Sequence, residues 1–226
     1  MCIRDSPDVF TCDYYVLDTI TGAHLSGNEY YEVGTDSLNA GDTIFTTSTV
    51  FVYADTLGCG DTISFEVNIT PAPILDPIAD VEVCDMYVLE PITGQFLTGN
   101  EAYYSSTGDT LNAGDIITMT DSLTVIASAG ECADTIDFVV TIIPSVALDS
   151  IPDVFTCDYY VLDTITGAHL SGNEEYEVNG TILAAGDTIF TTSTVFVYAD
   201  TLGCGDTISF EVNITCLLYT SDAADE

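Results

Sequence analysis

Basic residues are almost missing from this chain. Its 226 residues include one Lys or Arg, which is Arg4, against 37 Asp and Glu and two His. A chain with a formal net charge of −36 repels phosphate groups, and binding to nucleic acid or to an anionic membrane surface requires Lys and Arg. We therefore expect no nucleic-acid partner, and few ion pairs beyond those that His24 or His169 could make.

Two further absences limit the structural class. No apolar run approaches the ~20 residues that a membrane-spanning helix needs, and no stretch shows the 3.6-residue period of an amphipathic helix. Direct membrane insertion and a helical fold are therefore not expected. Hydrophobic residues nevertheless make up 47% of the chain, whereas disordered acidic chains have low hydrophobicity. The sequence predicts a folded, largely β-structured protein.

Three copies of one module account for nearly all of the chain. The string CDYYVL at residues 12–17 returns unchanged at residues 157–162, and it returns in edited form as CDMYVL at residues 84–89. Each copy opens a block of roughly 72 residues, a fixed period of the kind that marks repeat architectures. Each block carries one more cysteine near its end. We place the module boundaries at residues 7–76, 77–149 and 150–215.

The two ends do not follow the repeat. Residues 1–6 and 216–226 have no counterpart in the other copies, and both resemble translated sequencing adapter. We exclude both ends from reasoning about the fold, as one excludes an expression scar. Residues 7–215 then contain no Lys or Arg and keep 33 acidic residues, the 37 of the full chain less four in the ends. On this interpretation the natural protein continues on both sides.

Short strands separated by turn residues fill each module. In residues 62–69 every second residue is apolar, so Ile63, Phe65, Val67 and Ile69 are expected to face a core. Six or seven such strands per ~72 residues, divided by Gly, Asn and Asp turns, are typical of a small immunoglobulin-like β-sandwich. The linkers, residues 71–77 and 144–150, are short and contain proline, which stiffens them. The predicted fold class is therefore all-β, with three tandem modules arranged as an extended rod.

The six internal cysteines occur as one pair per module. Their separations are 47, 48 and 47 residues, and they predict three disulfides within modules: Cys12–Cys59, Cys84–Cys132 and Cys157–Cys204. A disulfide compensates for the small core of such a domain and indicates an oxidising compartment outside the cytoplasm. The alternative is a metal site, but the chain has no Cys-x-x-Cys and only two His, which argues against zinc.

One segment varies while its frame stays fixed. Modules one and three differ at six positions between Pro7 and Thr70, and all six lie between residues 30 and 39. Variation at a loop is where binding differences usually reside, so Tyr30, Tyr31, Glu175 and Tyr176 are candidate binding residues for a surface glycan or protein. The alternative is an exposed tip that tolerates change.

Carboxylates recur at the module junctions. Asp76 with Asp80, and Asp149 with Asp153, offer oxygen ligands for calcium between modules. No calcium loop of the Asp-x-Asp-x-Asp-Gly type is present, and aspartates commonly hydrogen-bond the backbone of their own turns. Both interpretations remain open, and calcium is the one cofactor that the sequence suggests.

No residue set has the pattern of a catalytic site. A Gly-x-Ser-x-Gly elbow is absent, and the carboxylates recur in every module, which a single active site does not explain. His24 and His169 occupy one position of the repeat, where module two has Phe96. That apolar replacement favours a packing role over metal binding or catalysis.

The combined motif resembles a known group of proteins. Cys-Asp-x-Tyr-Val-Leu-x-x-Ile-Thr-Gly, then Leu-Ser/Thr-Gly-Asn-Glu, then Ala-Gly-Asp-x-Ile and a late Cys resemble tandem repeats of gliding-motility-associated and adhesin-like surface proteins of Bacteroidota. The resemblance covers nearly all of residues 7–215. It implies an immunoglobulin-like fold, export by type IX secretion and a role in adhesion, and it supplies no catalytic residues.

Composition, repeats and resemblance together predict a non-enzymatic fragment of a secreted or cell-surface bacterial adhesin or stalk. Its modules act as spacers and contact the neighbouring repeats of the same chain. One alternative is a glycan- or protein-binding module that uses residues 30–39. Another is the spacer of a secreted hydrolase whose catalytic domain lies outside this sequence.

Overall fold

The computed structural model describes residues 7–56 and 59–215, without the side chains of Thr56 and Cys59. Residues 1–6 and 216–226 lie outside the described residues, so the adapter interpretation stays a prediction. Within the described residues the structure consists of strands and turns, with no helix. No helix long and apolar enough to cross a membrane occurs there.

Repeat 1 begins with a short strand and ends with its longest one. Its strands are β1 (Val9–Cys12), β2 (Tyr15–Val16), β3 (Tyr30–Val33), β4 (Asp36–Leu38), β5 (Thr43–Ile44), β6 (Ser48–Thr56) and β7 (Cys59–Thr70). The linker that follows contains β8 (Ile74–Leu75).

Repeat 2 has the same order, with one added strand before its variable segment. Its strands are β9 (Val81–Cys84), β10 (Tyr87–Val88), β11 (Gly94–Gln95), β12 (Ala102–Tyr104), β13 (Thr110–Leu111), β14 (Ile116–Ile117), β15 (Asp121–Ala129) and β16 (Cys132–Ile143). The next linker contains β17 (Ala147–Leu148).

Repeat 3 follows the pattern of repeat 2. Its strands are β18 (Val154–Thr156), β19 (Tyr160–Val161), β20 (Gly167–Ala168), β21 (Glu175–Val178), β22 (Thr181–Leu183), β23 (Thr188–Ile189), β24 (Ser193–Ala199) and β25 (Asp206–Ile214).

Each repeat consists of a five-stranded sheet and a two-stranded sheet. In repeat 1 the larger sheet has the order β1-β7-β6-β3-β4, and the smaller sheet pairs β2 with β5. The corresponding orders are β9-β16-β15-β12-β13 with β10-β14 in repeat 2, and β18-β25-β24-β21-β22 with β19-β23 in repeat 3. The all-β, three-module fold class is therefore confirmed.

Alternation along the long strands builds the core. In β7, Phe65 is 7% exposed and Val67 is 0% exposed, while Ser64 and Glu66 are exposed, as the two-residue period predicts. Residues of both sheets meet in the core of repeat 1, which consists of Leu17, Tyr31, Ile44, Val50, Val52, Phe65 and Val67. The core of repeat 3 consists of Leu162, Tyr176, Val178, Ile189, Val195, Val197, Phe210 and Val212.

The first strand of each repeat pairs in parallel with the last strand of the same repeat. Cys12 lies opposite Thr70 at the end of β7, Cys84 opposite Ile143 at the end of β16, and Thr156 opposite Ile214 at the end of β25. Sequence alternation did not reveal this pairing, because it shows which residues face the core and not which strands are neighbours. The pairing fixes the positions of the cysteines.

Each linker pairs with the repeat that follows it. Strand β8 pairs with β11 and β17 pairs with β20, so each linker adds a short ladder beside the next module. Leu75 is 5% exposed, and Leu148 with Ile151 packs against the core of repeat 3. Each linker therefore places a leucine in a packed environment.

The chain divides into two compact units. The first comprises the chain as far as Ala79, Leu89–Asp115 and Ser122–Val139. The second comprises Asp80–Val88, Ile116–Asp121 and the chain from Val140 onward. Repeat 2 supplies residues to both units, because β16 starts in the first and ends in the second. The module boundaries drawn from the sequence stay predictions.

Candidate functional site

In the part of the chain that the structure describes, two disulfides connect neighbouring repeats. Cys12 of repeat 1 is bonded to Cys132 of repeat 2, and Cys84 of repeat 2 is bonded to Cys204 of repeat 3. Both span 120 residues, and their Cα atoms are 5.7 and 5.6 Å apart. The first lies within the first compact unit and the second within the second unit. Each opening cysteine thus bonds to the late cysteine of the next repeat.

The predicted pairing within modules was therefore wrong. Cys12–Cys59, Cys84–Cys132 and Cys157–Cys204 cannot form while Cys12, Cys84, Cys132 and Cys204 are bonded as observed. The side chain of Cys59 lies outside the described residues, and Cys157 is exposed.

Strand register gives the physical reason for the error. Cys12 lies beside Thr70, the last residue of β7, whereas Cys59 is the first residue of β7. Eleven residues at about 3.3 Å each separate those two ends by about 36 Å, while a disulfide requires Cα atoms within about 7 Å. Equal cysteine spacings recur in any repeat protein, so they do not reveal which partner is near.

The first joint consists of the Cys12–Cys132 disulfide and the hydrogen bonds around it. Cys132 Sγ lies 3.7 Å from the carbonyl oxygen of Thr70. The Asp13 N–H donates to that same carbonyl at 3.1 Å, and the Asp13 carboxylate accepts the N–H of Ala72 at 2.8 Å. The end of repeat 1 and its linker are thus held on the residue that follows Cys12.

The linker of the first joint is also held from repeat 2. The N–H of Leu75 donates to Asp134 Oδ2 at 2.8 Å, and the N–H of Asp76 donates to the Thr93 carbonyl at 3.0 Å. Asp134 lies two residues after Cys132, so one stretch of β16 contacts both the end of β7, through Cys132, and the linker, through Asp134.

The second joint repeats these contacts around Cys84–Cys204. The N–H of Asp85 donates to the Ile143 carbonyl at 2.9 Å, and the Asp85 carboxylate accepts the N–H of Ser145 at 2.7 Å. The N–H of Leu148 donates to Asp206 Oδ2 at 2.9 Å. The same chemistry at the same repeat positions shows that the joint belongs to the repeat itself.

The role of Asp134 and Asp206 in holding the linkers is one that sequence reasoning missed. With Asp61 they form an acidic position present in every copy, always two residues after the late cysteine. That fixed spacing was the available signal. That spacing did not reveal the partner, which is a backbone N–H of the linker about 58 residues away in sequence. A backbone N–H is present at almost every residue, so the sequence does not mark it as a partner.

Asp13 and Asp85 adopt left-handed backbone conformations. Their φ angles are 63° and 59°, in a region that Asp tolerates better than most residues because its short side chain hydrogen-bonds locally. Each of these two aspartates accepts a linker N–H at its joint. The turn after the opening cysteine therefore takes this form where a linker is held.

The pKa of the Asp85 carboxyl is lowered from its ordinary value. Hydrogen bonds from the side chain and the backbone N–H of Ser145 favour the ionised form, burial opposes them slightly, and the positive charge of His169 adds a further lowering. Residues 7–215 contain no Lys or Arg, so His169 is the basic side chain that acts on Asp85 here.

This lowered pKa predicts an acid-sensitive second joint. Because the folded pKa of Asp85 lies below its unfolded value of about 3.9, its contribution to stability is present above that pH and is lost as pH falls through the folded pKa. We expect the difference in melting temperature between wild type and Asp85→Asn to be largest above pH 4 and to shrink in acid. His169→Phe, which places the residue of repeat 2 in repeat 3, should change this profile less. A pH-independent difference would contradict the assignment.

The predicted binding residues divide into two pairs. Tyr31 is 6% exposed and Tyr176 is 1% exposed. Their hydroxyls donate to the carbonyls of Asp18 at 2.9 Å and Asp163 at 3.0 Å. Burial, with nearby aspartates adding, raises the pKa of both tyrosines. The prediction of binding by these two was wrong, because they belong to the core.

Tyr30 and Glu175 occupy the same exposed position of repeats 1 and 3. Tyr30 is 37% exposed and stacks on Tyr53 of β6 with ring centroids 5.1 Å apart. Glu175 lies opposite Tyr198, the corresponding tyrosine of β24. A role for these two residues in binding a glycan or a protein stays a prediction.

The predicted calcium ligands include one whose role the structure reveals. Asp153 Oδ1 accepts the N–H of Glu211 at 2.8 Å, so this carboxylate bonds to the last strand, 58 residues away in sequence, and not to the backbone of its own turn. The backbone N–H groups of Asp76 and Asp149 donate to Thr93 and Thr166. No group of three or more His, Cys, Asp or Glu side chains comes together in the part of the chain that the structure describes. Calcium binding by Asp76, Asp80, Asp149 and Asp153 stays a prediction.

The repeat position that holds a histidine in repeats 1 and 3 has the same backbone conformation in all three repeats, but its side chain is not part of a core. His24, Phe96 and His169 have φ angles of 64°, 56° and 57°, and all three side chains are exposed. The predicted packing role was therefore wrong. These residues form a left-handed turn after the Thr-Gly dipeptide, and in repeat 3 that turn brings His169 near Asp85.

Of the comparisons with known proteins, the one with solved structures bears on the fold. No protein-family model matches the chain, and no curated protein matches it by sequence. Among solved structures, an I-band fragment of titin matches 94% of this chain and 97% of its own, with 9% identity and a TM-score of 0.50. The fold is immunoglobulin-like. The insect immune protein hemolin (10% identity, 95% and 75% of the chains, TM-score 0.44) and Drosophila OTK extracellular domains 3–5 (8%, 95% and 97%, TM-score 0.42) are also similar.

Proposed function

We propose that this chain is a non-catalytic spacer segment of a secreted or cell-surface bacterial adhesin or stalk protein. Its immunoglobulin-like repeats hold other parts of a longer protein away from the cell. The observation that carries the proposal is the joint: every linker between described repeats is held by one disulfide, two aspartate carboxylates and a short β-ladder.

The joints suit a spacer because they restrict bending. A flexible tether joins its domains through chain that makes few contacts, whereas here Leu75 and Leu148 each donate a hydrogen bond to a carboxylate of the next repeat. The buried Leu75 adds apolar contact. An array of such joints transmits orientation from one repeat to the next.

The disulfides and the charge support an extracellular setting. Disulfides persist in oxidising compartments, and two are present in the described residues. Export through type IX secretion rests on the motif resemblance alone. A net charge of −36 favours solubility and keeps neighbouring copies apart through repulsion.

Small-angle X-ray scattering tests the spacer proposal. The longest strand of a repeat has 12 residues, or about 40 Å at ~3.3 Å per residue, so three repeats in line would measure about 120 Å. A uniform rod of that length has a radius of gyration of about 35 Å, against about 17 Å for a compact protein of 226 residues. We expect a value near the former. A value near the compact figure would mean that the repeats fold back on one another, and the spacer proposal would fail.

A further inference from the structure

The two disulfides interlock along the chain. Cys84 lies inside the loop that Cys12–Cys132 closes, and Cys132 lies inside the loop that Cys84–Cys204 closes. Pairing within repeats would have produced three separate loops. The overlap has a mechanical consequence, because tension travels along covalent bonds and the disulfides supply a shorter route than the backbone.

We propose that the interlocked disulfides act as an extension limiter, which fixes how far the segment between Cys12 and Cys204 can be stretched. This inference rests on the proposed spacer function, in which the chain bears load. The limiter does not depend on how strongly each repeat is folded. It depends only on which cysteines are bonded.

The shortest covalent route sets the limit. It crosses from Cys12 to Cys132, runs backwards along the backbone to Cys84, and crosses to Cys204. At 3.3–3.6 Å per residue, the backbone between Cys84 and Cys132 extends to about 160–170 Å, and the two bridges add 5.7 and 5.6 Å. Without disulfides, the backbone from Cys12 to Cys204 reaches about 630–690 Å.

The route also determines which part of the chain carries tension at the limit. The other two segments between bonded cysteines, residues 12–84 and 132–204, would each extend to about 240–260 Å at the same rise per residue. They remain slack when the shorter segment, residues 84–132, is taut. At high force the middle segment of repeat 2 therefore carries the load, and full extension of the two longer segments is prevented even after their strands separate.

Each disulfide alone gives an intermediate limit. With Cys84→Ser, the route crosses from Cys12 to Cys132 and follows the backbone to Cys204. With Cys12→Ser, it follows the backbone to Cys84 and crosses to Cys204. The repeat makes these two backbone segments equally long, so the two variants serve as matched controls for one another.

Single-molecule stretching of the full chain, held by handles at its two ends, tests the limiter. Cys2, Cys59, Cys157 and Cys216 are replaced by Ser in every sample, so that only the four bonded cysteines remain. The residues outside Cys12 and Cys204 add the same length to every sample.

Three limiting lengths between Cys12 and Cys204 are expected from these samples. Extension of the oxidised protein should stop at about 160–170 Å plus the two bridges. When Cys84→Ser or Cys12→Ser is added to this background, extension should stop at about 240–260 Å plus one bridge. The reduced protein should reach about 630–690 Å.

Two outcomes would overturn the proposal. If oxidised and reduced proteins reached the same length, the disulfides would not limit extension. If the oxidised protein reached about 480–520 Å, Cys84 would be bonded to Cys132, since only that within-repeat pair remains possible in this background. The spacer proposal is judged separately by scattering: an extended solution shape without a length limit would overturn the limiter alone, and a compact shape with the shortest limit would overturn the spacer alone.

Discussion

Replacing Cys132 by Ser lowers the free energy of unfolding by about 5 kcal/mol, because it opens a loop of 120 residues. In the chain-entropy model, closing so long a loop removes more conformational freedom from the unfolded chain than closing a loop within one repeat would. For a chain of this size the loss corresponds to a fall of about 10–20 °C in melting temperature. Thermal unfolding under non-reducing conditions, with Cys12→Ser as the equivalent variant, measures the effect.

A double-variant cycle identifies the partner. If Cys12 and Cys132 form one bond, Cys12→Ser/Cys132→Ser loses no more stability than either single variant, whereas Cys12→Ser/Cys84→Ser breaks both bonds and loses clearly more than either single variant. Peptide mapping under non-reducing conditions should recover Cys12 linked to Cys132. Recovery of Cys12 linked to Cys59, with additive effects of Cys12→Ser and Cys132→Ser, would restore the pairing within repeats.

Gly94→Ala disrupts the first joint without touching its disulfide. A Cβ atom at Gly94 would overlap the carbonyl oxygen of Ile74 and lie 3.1 Å from the Cα of Leu75, so the β8–β11 ladder must separate. We expect a local loss of about 2 kcal/mol, the scale of burying a leucine such as Leu75. Hydrogen exchange at the N–H groups of Leu75 and Asp76 should become about 30-fold faster.

The repeat supplies the control for this variant. Gly167 is as constrained as Gly94, because its Cβ would overlap the Ala147 carbonyl oxygen. Gly22, the equivalent residue of repeat 1, would bring a Cβ no closer than 3.5 Å to the Leu25 side chain. Gly167→Ala should therefore destabilise the second joint, and Gly22→Ala should be tolerated. If Gly22→Ala were as damaging, the glycine would be required by its own turn and not by a linker.

The joints show how carboxylates find hydrogen-bond partners in a chain with almost no basic residues. Asp13, Asp85, Asp134 and Asp206 each accept a hydrogen bond from a backbone N–H of a linker. Such charge-assisted hydrogen bonds are stronger than neutral ones. The acidic residues shared by the repeats thus have structural partners even though Lys and Arg are missing.

The turn motif that contributes to the sequence resemblance has a similar explanation. In the Ser/Thr-Gly-Asn-Glu segment, the Glu101 carboxylate accepts the N–H groups of Thr98 and Gly99, and Glu174 accepts the N–H of Gly172. For Glu174 the bond from Gly172 is the largest cause of a lowered pKa. These glutamates therefore stabilise the turns of their own repeats.

The sequence by itself determined the repeat, the strand class and the inward faces. Alternation in residues 62–69 identified Phe65 and Val67 as buried, because that pattern depends on a local period of two residues. The cysteine content of the sequence also indicated an oxidising compartment, since the number and spacing of cysteines depend on the chain alone. The sequence did not show that Tyr31 is in the core and that the neighbouring Tyr30 is exposed, because a tyrosine is common in both environments.

Only the tertiary structure decided which cysteines meet. In a repeated sequence, disulfides within repeats and disulfides to the next repeat both give a constant cysteine separation along the chain. The spacing of the cysteines therefore does not show which of the two pairings forms. The parallel pairing of β1 with β7 moves Cys12 to the end of its repeat and away from Cys59. The linker ladder β8–β11 and the Leu75–Asp134 hydrogen bond hold the next repeat in place, where Cys132 is available. These contacts join residues that are far apart in sequence, and a local sequence pattern does not encode them.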